Sequence, residues 1–411
     1  MKIRFKLLLI FIFIVISSLI FAKDKENVRV RLQLKWTHQF QFAGYYAAKE
    51  KGYYGEEGLD VEIMELRNNE NPVDVVLSGR ADFGIGSSDL VIERAQGKKI
   101  VLLASIFQHS PYIFISKKNN GVDNIHQISN KRIAIENHAS ELLYYLKNEG
   151  VKVRDIQQIP YFQGINDLLE NKVDLISAYS TDELYLLNKM GVEYNVFSPR
   201  SSGVDFYGDS LFTTEEFIKK NPKIVEIFLK ATLKGWEYAI KNKKELVDIT
   251  RKNYAKTRSE EQLLFEADEM EKLIVPEIVD IGYINKGRWE EIAKSYQKIG
   301  LIPDNYSIKG FYYKNMIEMD VNDLIKIAII SVIILIFLGS IVAIIVFFNI
   351  RLNREIKEKS LVENELKISE AKYKLLAENT VECIWLLNLS TMEYKYISPA
   401  IMGSGAKMFF V

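Results

Sequence analysis

The sequence predicts an α/β protein of two lobes, followed by one membrane-spanning helix and an incomplete α+β segment. Three observations lead there. From Val28 to about Tyr313, short strand patterns alternate with helical ones, which gives mostly parallel sheets covered on both faces. Those roughly 290 residues exceed one comfortable core, so they divide into two lobes. An uncharged apolar run then occupies residues 327–348. At about 1.5 Å per residue it is about 33 Å long, enough to cross a bilayer core of about 30 Å.

The elements come in this order. Met1 to Lys6 carries three cations, and an apolar run reaches Ala22. Residues 1–22 therefore read as a signal peptide or an uncleaved N-terminal anchor, and either one exports the chain beyond it. Val28, Val30, Leu32 and Leu34 alternate with Arg29, Arg31 and Gln33, the mark of a half-buried strand. Residues 40–54 read as a helix broken at Gly52. Further strand patterns fall at 59–64, 82–85, 100–105, 112–116, 132–135 and 173–179, separated by helical ones at 72–78, 88–96, 140–150, 165–170 and 181–190. After Thr213 the pattern turns helical, at 214–220, 224–242, 244–253 and 259–273. The expected boundaries are about 28–112 and 203–317 for the first lobe and about 113–202 for the second. A transmembrane helix at 324–350, a signalling helix or linker at 351–371 and a last segment at 372–411 complete the chain.

Composition excludes several classes. The 54 basic and 54 acidic residues cancel, which argues against nucleic acid as a partner. Cys383 is the one cysteine, so residues 23–323 carry no disulfide and no thiolate metal site. His38, His109, His126 and His138 are the four histidines, and no pair has metal-ligand spacing. The residues thus predict no metal, no cofactor and no catalytic group. Arg351, Arg354, Lys357 and Lys359 come after the apolar run and mark a cytoplasmic side. Residues 23–323 are then extracytoplasmic, on the inner membrane. Leu361, Ile368 and Leu375 recur every seven residues, with Leu366 and Tyr373 as a second pair. The two series do not interleave at three and four, so a homodimer through this helix and a solvated linker both fit. Residues 372–411 are too few for a core of their own.

Four stretches carry a resemblance. They are Leu34-Lys35-Trp36-Thr37-His38-Gln39-Phe40-Gln41-Phe42-Ala43-Gly44-Tyr45-Tyr46, continuing to Gly52-Tyr53-Tyr54, then Gly79-Arg80-Ala81-Asp82-Phe83-Gly84-Ile85-Gly86, Ala95-Gln96-Gly97-Lys98-Lys99-Ile100 and Tyr207-Gly208-Asp209-Ser210-Leu211-Phe212-Thr213. Together they resemble the periplasmic binding proteins for nitrate, sulfonates and thiamine pyrimidine precursors, with which the fungal thiamine-pyrimidine synthases are grouped. The resemblance covers roughly residues 28–317. It implies the two-lobed periplasmic-binding-protein fold of type II, with a small-molecule ligand in the cleft. Ser369 to Asn379, Ile384-Trp385 and Tyr396-Ile397-Ser398-Pro399 are similar to the start of a PAS domain, a module that joins sensors to histidine kinases or diguanylate cyclases. The match stops near Ile401, so the segment reads as a truncated PAS domain with no output activity.

The cleft of such a fold lies at the carboxyl ends of its strands, which selects candidate ligand residues. Trp36 offers a flat apolar face, or packs in the core. His38 meets the ligand, or caps the next helix, and Gln41 belongs to the same loop. Ser87 and Ser88 precede a helix, where Ser88 or Asp89 reads as its N-cap. Asn137 and His138 end a strand, and Ser140 reads as a cap. The resemblance implies that Glu183 meets an amino-pyrimidine edge; its alternative is a first-turn acid on the helix dipole. Tyr112, Tyr179 and Tyr207 are walls or structural tyrosines. The cleft loops lack arginine, Arg200 being nearest, and Asp89 opposes an anion. The expected ligand is therefore a neutral, nitrogen-rich aromatic, and the expected protein a membrane-anchored sensor. A transport component for a thiamine precursor or sulfonate is the alternative. A synthase is the second, weakened by the absence of cysteine from residues 23–323.

Overall fold

The computed structural model describes residues 27–67, 70–161, 163–313, 321–379 and 385–397. The expected leader at 1–22 and the end of the PAS-like segment, 398–411, lie outside the described residues. The chain divides into two units, Met1–Asn315 and Met316–Val411.

Among the described residues the first unit holds ten strands. In chain order they are β1 (Val28–Gln33), β2 (Leu59–Met64), β3 (Phe83–Gly86), β4 (Ile100–Ser105), β5 (Tyr112–Lys117), β6 (Arg132–Ala134), β7 (Gln157–Ile159), β8 (Leu175–Tyr179), β9 (Tyr194–Phe197) and β10 (Ser210–Thr214). They form two five-stranded sheets, β2-β1-β3-β10-β4 and β7-β6-β8-β5-β9. The sheets are less parallel than the alternation suggests. In each, the strand arriving from the other lobe, β10 or β5, runs antiparallel to both neighbours. A chain that crosses at the cleft end must enter the sheet against the direction of its parallel strands.

Each sheet is covered on both faces. Val30, Leu32 and Phe83 pack into one cluster of the first lobe and Leu102 and Phe212 into the other; Phe114 and Ile115 do the same in the second lobe. The helices Ala43–Glu50 and Pro222–Lys241 cross at two glycines. A Cβ on Gly235 would collide with the Gly44 carbonyl oxygen and stand 2.7 Å from the Ala48 Cβ. The first helix is shorter than its pattern: a 3-10 turn, Phe40–Phe42, precedes it, and Gly52 at φ +79° ends it.

Two caps differ from expectation. Neither Ser88 nor Asp89 caps the helix Leu90–Ala95 by its side chain, and Ser140 lies inside the helix Ser140–Asn148 that it was expected to cap. Asp89 and Ser140 bond each other across the cleft instead, and Ser88 bonds Tyr296 within the first lobe. At the end of the unit, Leu102 N donates to Phe311 O at 2.7 Å and Tyr313 N to Leu102 O at 2.8 Å. The chain thus leaves from the outer edge of the first lobe's sheet.

The described residues of the second unit form a helix, Val321–Asn379, and a hairpin of β11 (Trp385–Asn388) and β12 (Glu393–Ile397). Gly339 is the helix's one glycine and it has no proline, so the expected span, linker and start of the last segment run as one uninterrupted element. Among the described residues this is the one helix long and apolar enough to cross a membrane, with a mean hydropathy of 3.3 in its apolar stretch. Ser331 and Ser340 donate to the carbonyls of Ile327 and Ile336, both at 2.8 Å, which satisfies their hydroxyls inside the apolar stretch. Of the PAS-like segment, the described residues are a helix end and one hairpin.

Candidate functional site

A cavity of about 360 Å³ opens between the lobes. The first lobe lines it with Trp36 and Thr37 after β1, Arg67, Glu70 and Asn71 after β2, and Ser87, Asp89 and Glu93 after β3. The second lobe supplies Tyr112, the loop Glu136, Asn137 and His138 after β6, and Tyr161. These are mostly carboxyl ends of strands, where backbone N–H and C=O groups leave the ladder and side chains converge.

Lys35 forms the floor. It is 8% exposed, and its ammonium donates to Asp209 Oδ1 at 3.1 Å and to the Tyr179 hydroxyl. The Tyr112 and Tyr179 ring centroids lie 5.4 and 5.0 Å from it, and the two rings meet edge to face at 4.7 Å. Gln41 Nε2 donates to Asp209 Oδ2 at 2.6 Å. Burial opposes the charge on Lys35, but Asp209, Tyr179 and Glu136 outweigh it and hold its pKa above the ordinary value. A lysine so held is a fixed cation, not a nucleophile.

Carboxyl groups dominate the walls. Glu70, Asp89, Glu93 and Glu136 face two cations, Lys35 and Arg67. Burial pushes Glu136 up to about 7, with Lys35 pulling it back. Burial also raises Glu141 and Glu266 to about 8. The folded protein therefore binds protons that the unfolded chain has released above pH of about 4.5. That contribution to stability is complete below about pH 4.5 and is lost as pH rises through 7 to 8. Thermal unfolding measured from pH 5 to 8.5 is expected to give a falling midpoint; a rising one would contradict these assignments.

The lobes are closed on each other. Ser87 Oγ donates to His138 O at 2.9 Å, and Ser140 Oγ to Asp89 Oδ2 at 2.6 Å. His138 adopts φ +64°, a left-handed conformation that costs a non-glycine residue energy. On the other side, Arg258 donates to both Asp182 oxygens at 2.6 and 2.8 Å, and Gln262 adds a bond of 2.9 Å.

Of the expected ligand residues, Trp36, Ser87, Tyr112, Asn137 and His138 line the cavity. Gln41, Tyr179 and Glu183 line a small inner compartment beside Lys35. Glu183 Oε2 accepts from Tyr179 N at 2.7 Å, so one of its oxygens serves the backbone. Three others are elsewhere. His38 turns to the outer side, its Nδ1 2.8 Å from the Tyr46 hydroxyl, because Glu65 Oε1 holds its backbone N–H at 2.5 Å. Ser88 is buried against the Tyr296 hydroxyl at 2.8 Å. Tyr207 stacks on Trp289 at 5.2 Å, and its hydroxyl accepts from Asn285 N. The expectation about arginine also changes: Arg67 lines the cleft and Arg200 does not. Sequence reasoning passed over Lys35, Asp209 and Glu136. The available signal was the polar phase of β1 continuing beyond its end, together with the acid in Gly208-Asp209-Ser210.

The family described as NMT1/THI5 like matches residues 39–246, half of the chain. The chain belongs to this family. Among curated relatives, the riboflavin-binding protein RibY of Chloroflexus aurantiacus is 27% identical over 233 residues, 54% of this chain and 65% of that protein. The formylaminopyrimidine-binding protein of Halalkalibacterium halodurans is 22% identical over 301 residues, 70% of this chain and 90% of that protein. Among solved structures, the alkanesulfonate-binding protein SsuA of Xanthomonas axonopodis bound to MOPS superposes with a TM-score of 0.56. It is 10% identical and covers 71% of this chain and 99% of its own, which shows the fold alone. The chain is thus a substrate-binding protein of the NMT1/THI5-like family with the periplasmic-binding α/β fold.

Proposed function

We propose that this NMT1/THI5-like chain is an extracytoplasmic receptor, anchored by the helix Val321–Asn379, for a neutral, nitrogen-rich heteroaromatic. The observation that carries it is the cleft itself. Trp36 and Tyr112 supply aromatic walls among more carboxyl groups than cations. A stacked aromatic contributes about 0.5–1.5 kcal/mol beyond area burial, and the carboxylates accept ring or exocyclic N–H groups. An anionic sulfonate is disfavoured: Lys35 is committed to Asp209, and Arg67 stands among acids. Relatives that bind riboflavin and formylaminopyrimidine support the class.

In this reading the ligand stabilises the closed lobes through its differential affinity for them. The exit strap, Phe311 to Tyr313 on β4, carries the change toward the membrane helix. Pairing of two copies through residues 351–371 and a truncated PAS-like segment at 372–411 belong to the same proposal. Native mass spectrometry of the full chain released from detergent tests the ligand. A small heteroaromatic mass is expected, and a bound sulfonate would contradict the reading. Cysteine crosslinks in the apolar helix test transmission: the pattern should change with ligand, and one invariant pattern would leave a tethered binding protein.

A further inference from the structure

Beside Lys35 lies an inner compartment of about 20 Å³, space for one polar group the size of a water molecule. Gln39 lines it, is 2% exposed, and its Oε1 has no hydrogen-bond partner. A buried, unpaired acceptor is costly and calls for an explanation.

The orientation of that amide is forced by its neighbours. The Asp209 carboxylate, in its ion pair with Lys35, offers only acceptors. Gln41 must therefore present its NH₂ to it, as the 2.6 Å bond from Nε2 to Oδ2 has it. That leaves Gln41 Oε1 facing Gln39, and Gln39 must donate its own NH₂ there. The remaining atom, Gln39 Oε1, is an acceptor by elimination. A flip of either amide would set two donors or two acceptors against each other.

We propose that Gln39 sets ligand specificity by accepting an N–H from the edge of a nitrogen heterocycle that reaches the inner compartment. The inference rests on the heteroaromatic reading above and adds the required donor. The group that fits is a single N–H or NH₂: an exocyclic amine of an aminopyrimidine, or the imide N–H of a flavin-type ring. A methyl in its place fills the space but leaves the acceptor unpaired, and a site built around a hydrogen bond rejects such an analogue strongly.

The test is titration calorimetry on the full chain in detergent with two matched pairs of probes. One pair is 4-amino-5-hydroxymethyl-2-methylpyrimidine and its counterpart with methyl in place of the amine. The other is riboflavin and N3-methylriboflavin. In the pair whose ring the protein takes, the N–H member is expected to bind about tenfold to hundredfold tighter. Gln39→Met should bring that ratio close to one; its melting temperature should fall modestly, since Gln41 Oε1 loses its donor. Equal binding of both members by the wild type overturns the inference and leaves the heteroaromatic reading standing. A ratio that survives Gln39→Met assigns discrimination to Glu183 or Glu136 and likewise overturns it. Binding of neither pair removes the inference together with the reading beneath it. Should Gln39→Met fail to fold, Gln41→Met, which frees the Gln39 amide to turn, should lower the ratio, and a ratio that Gln41→Met leaves unchanged likewise overturns the inference.

Discussion

Lys35→Met is expected to destabilise the first unit by about 3–5 kcal/mol, the cost of leaving one member of a buried pair uncompensated. Asp209 is 1% exposed and would keep only the Gln41 amide as a side-chain partner. Both residues belong to the first lobe, so opening of the cleft does not restore the missing cation beside Asp209. The loss therefore appears in unfolding. Lys35→Met combined with Asp209→Leu should recover most of it, since replacing a buried pair by apolar groups is often close to neutral. Urea unfolding of the full chain in detergent, monitored by tryptophan fluorescence, reads both. A single variant as stable as the wild type would mean that the pair is hydrated.

Arg258→Ala is expected to act differently, although its pair with Asp182 is similar in geometry. Asp182 and Arg258 side chains are 11% and 16% exposed, and they stand on opposite lobes. Removal of the guanidinium leaves Asp182 and Glu183 facing a closed, acidic corner. Opening the cleft hydrates Asp182, so the energy is lost from closure rather than from folding. Ligand affinity scales with the population of the competent form. It should fall at least about tenfold, since truncating one partner of a desolvated pair typically costs 2–5 kcal/mol. Small-angle scattering should show a larger radius for the variant, with its melting temperature little changed. An unchanged radius would place the pair outside the closure equilibrium.

The sequence carried the layered architecture because apolar positions repeat with the periods of strand and helix. Val30 and Leu32 read as core and are core. The floor of the cleft was hidden by the same rule. Gln33 and Lys35 sit in the polar phase of β1, which alternation assigns to solvent, yet both are buried, Gln33 bonding the Leu34 and Glu65 carbonyls and Lys35 meeting Tyr179 of the second lobe. Ser88, Asp89 and Ser140 read as helix caps because short polar residues before a helix usually are. Here their partners come from Tyr296 and from each other across the cleft, contacts separated by 51 or more positions. His38 looked like a cleft residue because it lies just after Trp36, but the chain turns between them and Glu65 draws it outward. The long helix was legible in its apolar stretch. Its continuity through residues 351–379 was not, because uncharged and charged stretches look like separate elements even when no proline or glycine divides them.

The central claim is that the cleft between the lobes takes a neutral nitrogen heteroaromatic against Trp36. Titration of the full chain with the pyrimidine and flavin probes, with an alkanesulfonate as the opposing ligand, tests it most directly when repeated on Trp36→Ala. The account predicts binding of a heteroaromatic, weakened at least about tenfold by loss of the indole, and no competition from the sulfonate. Tight binding of the sulfonate alone, indifferent to Trp36, would contradict it.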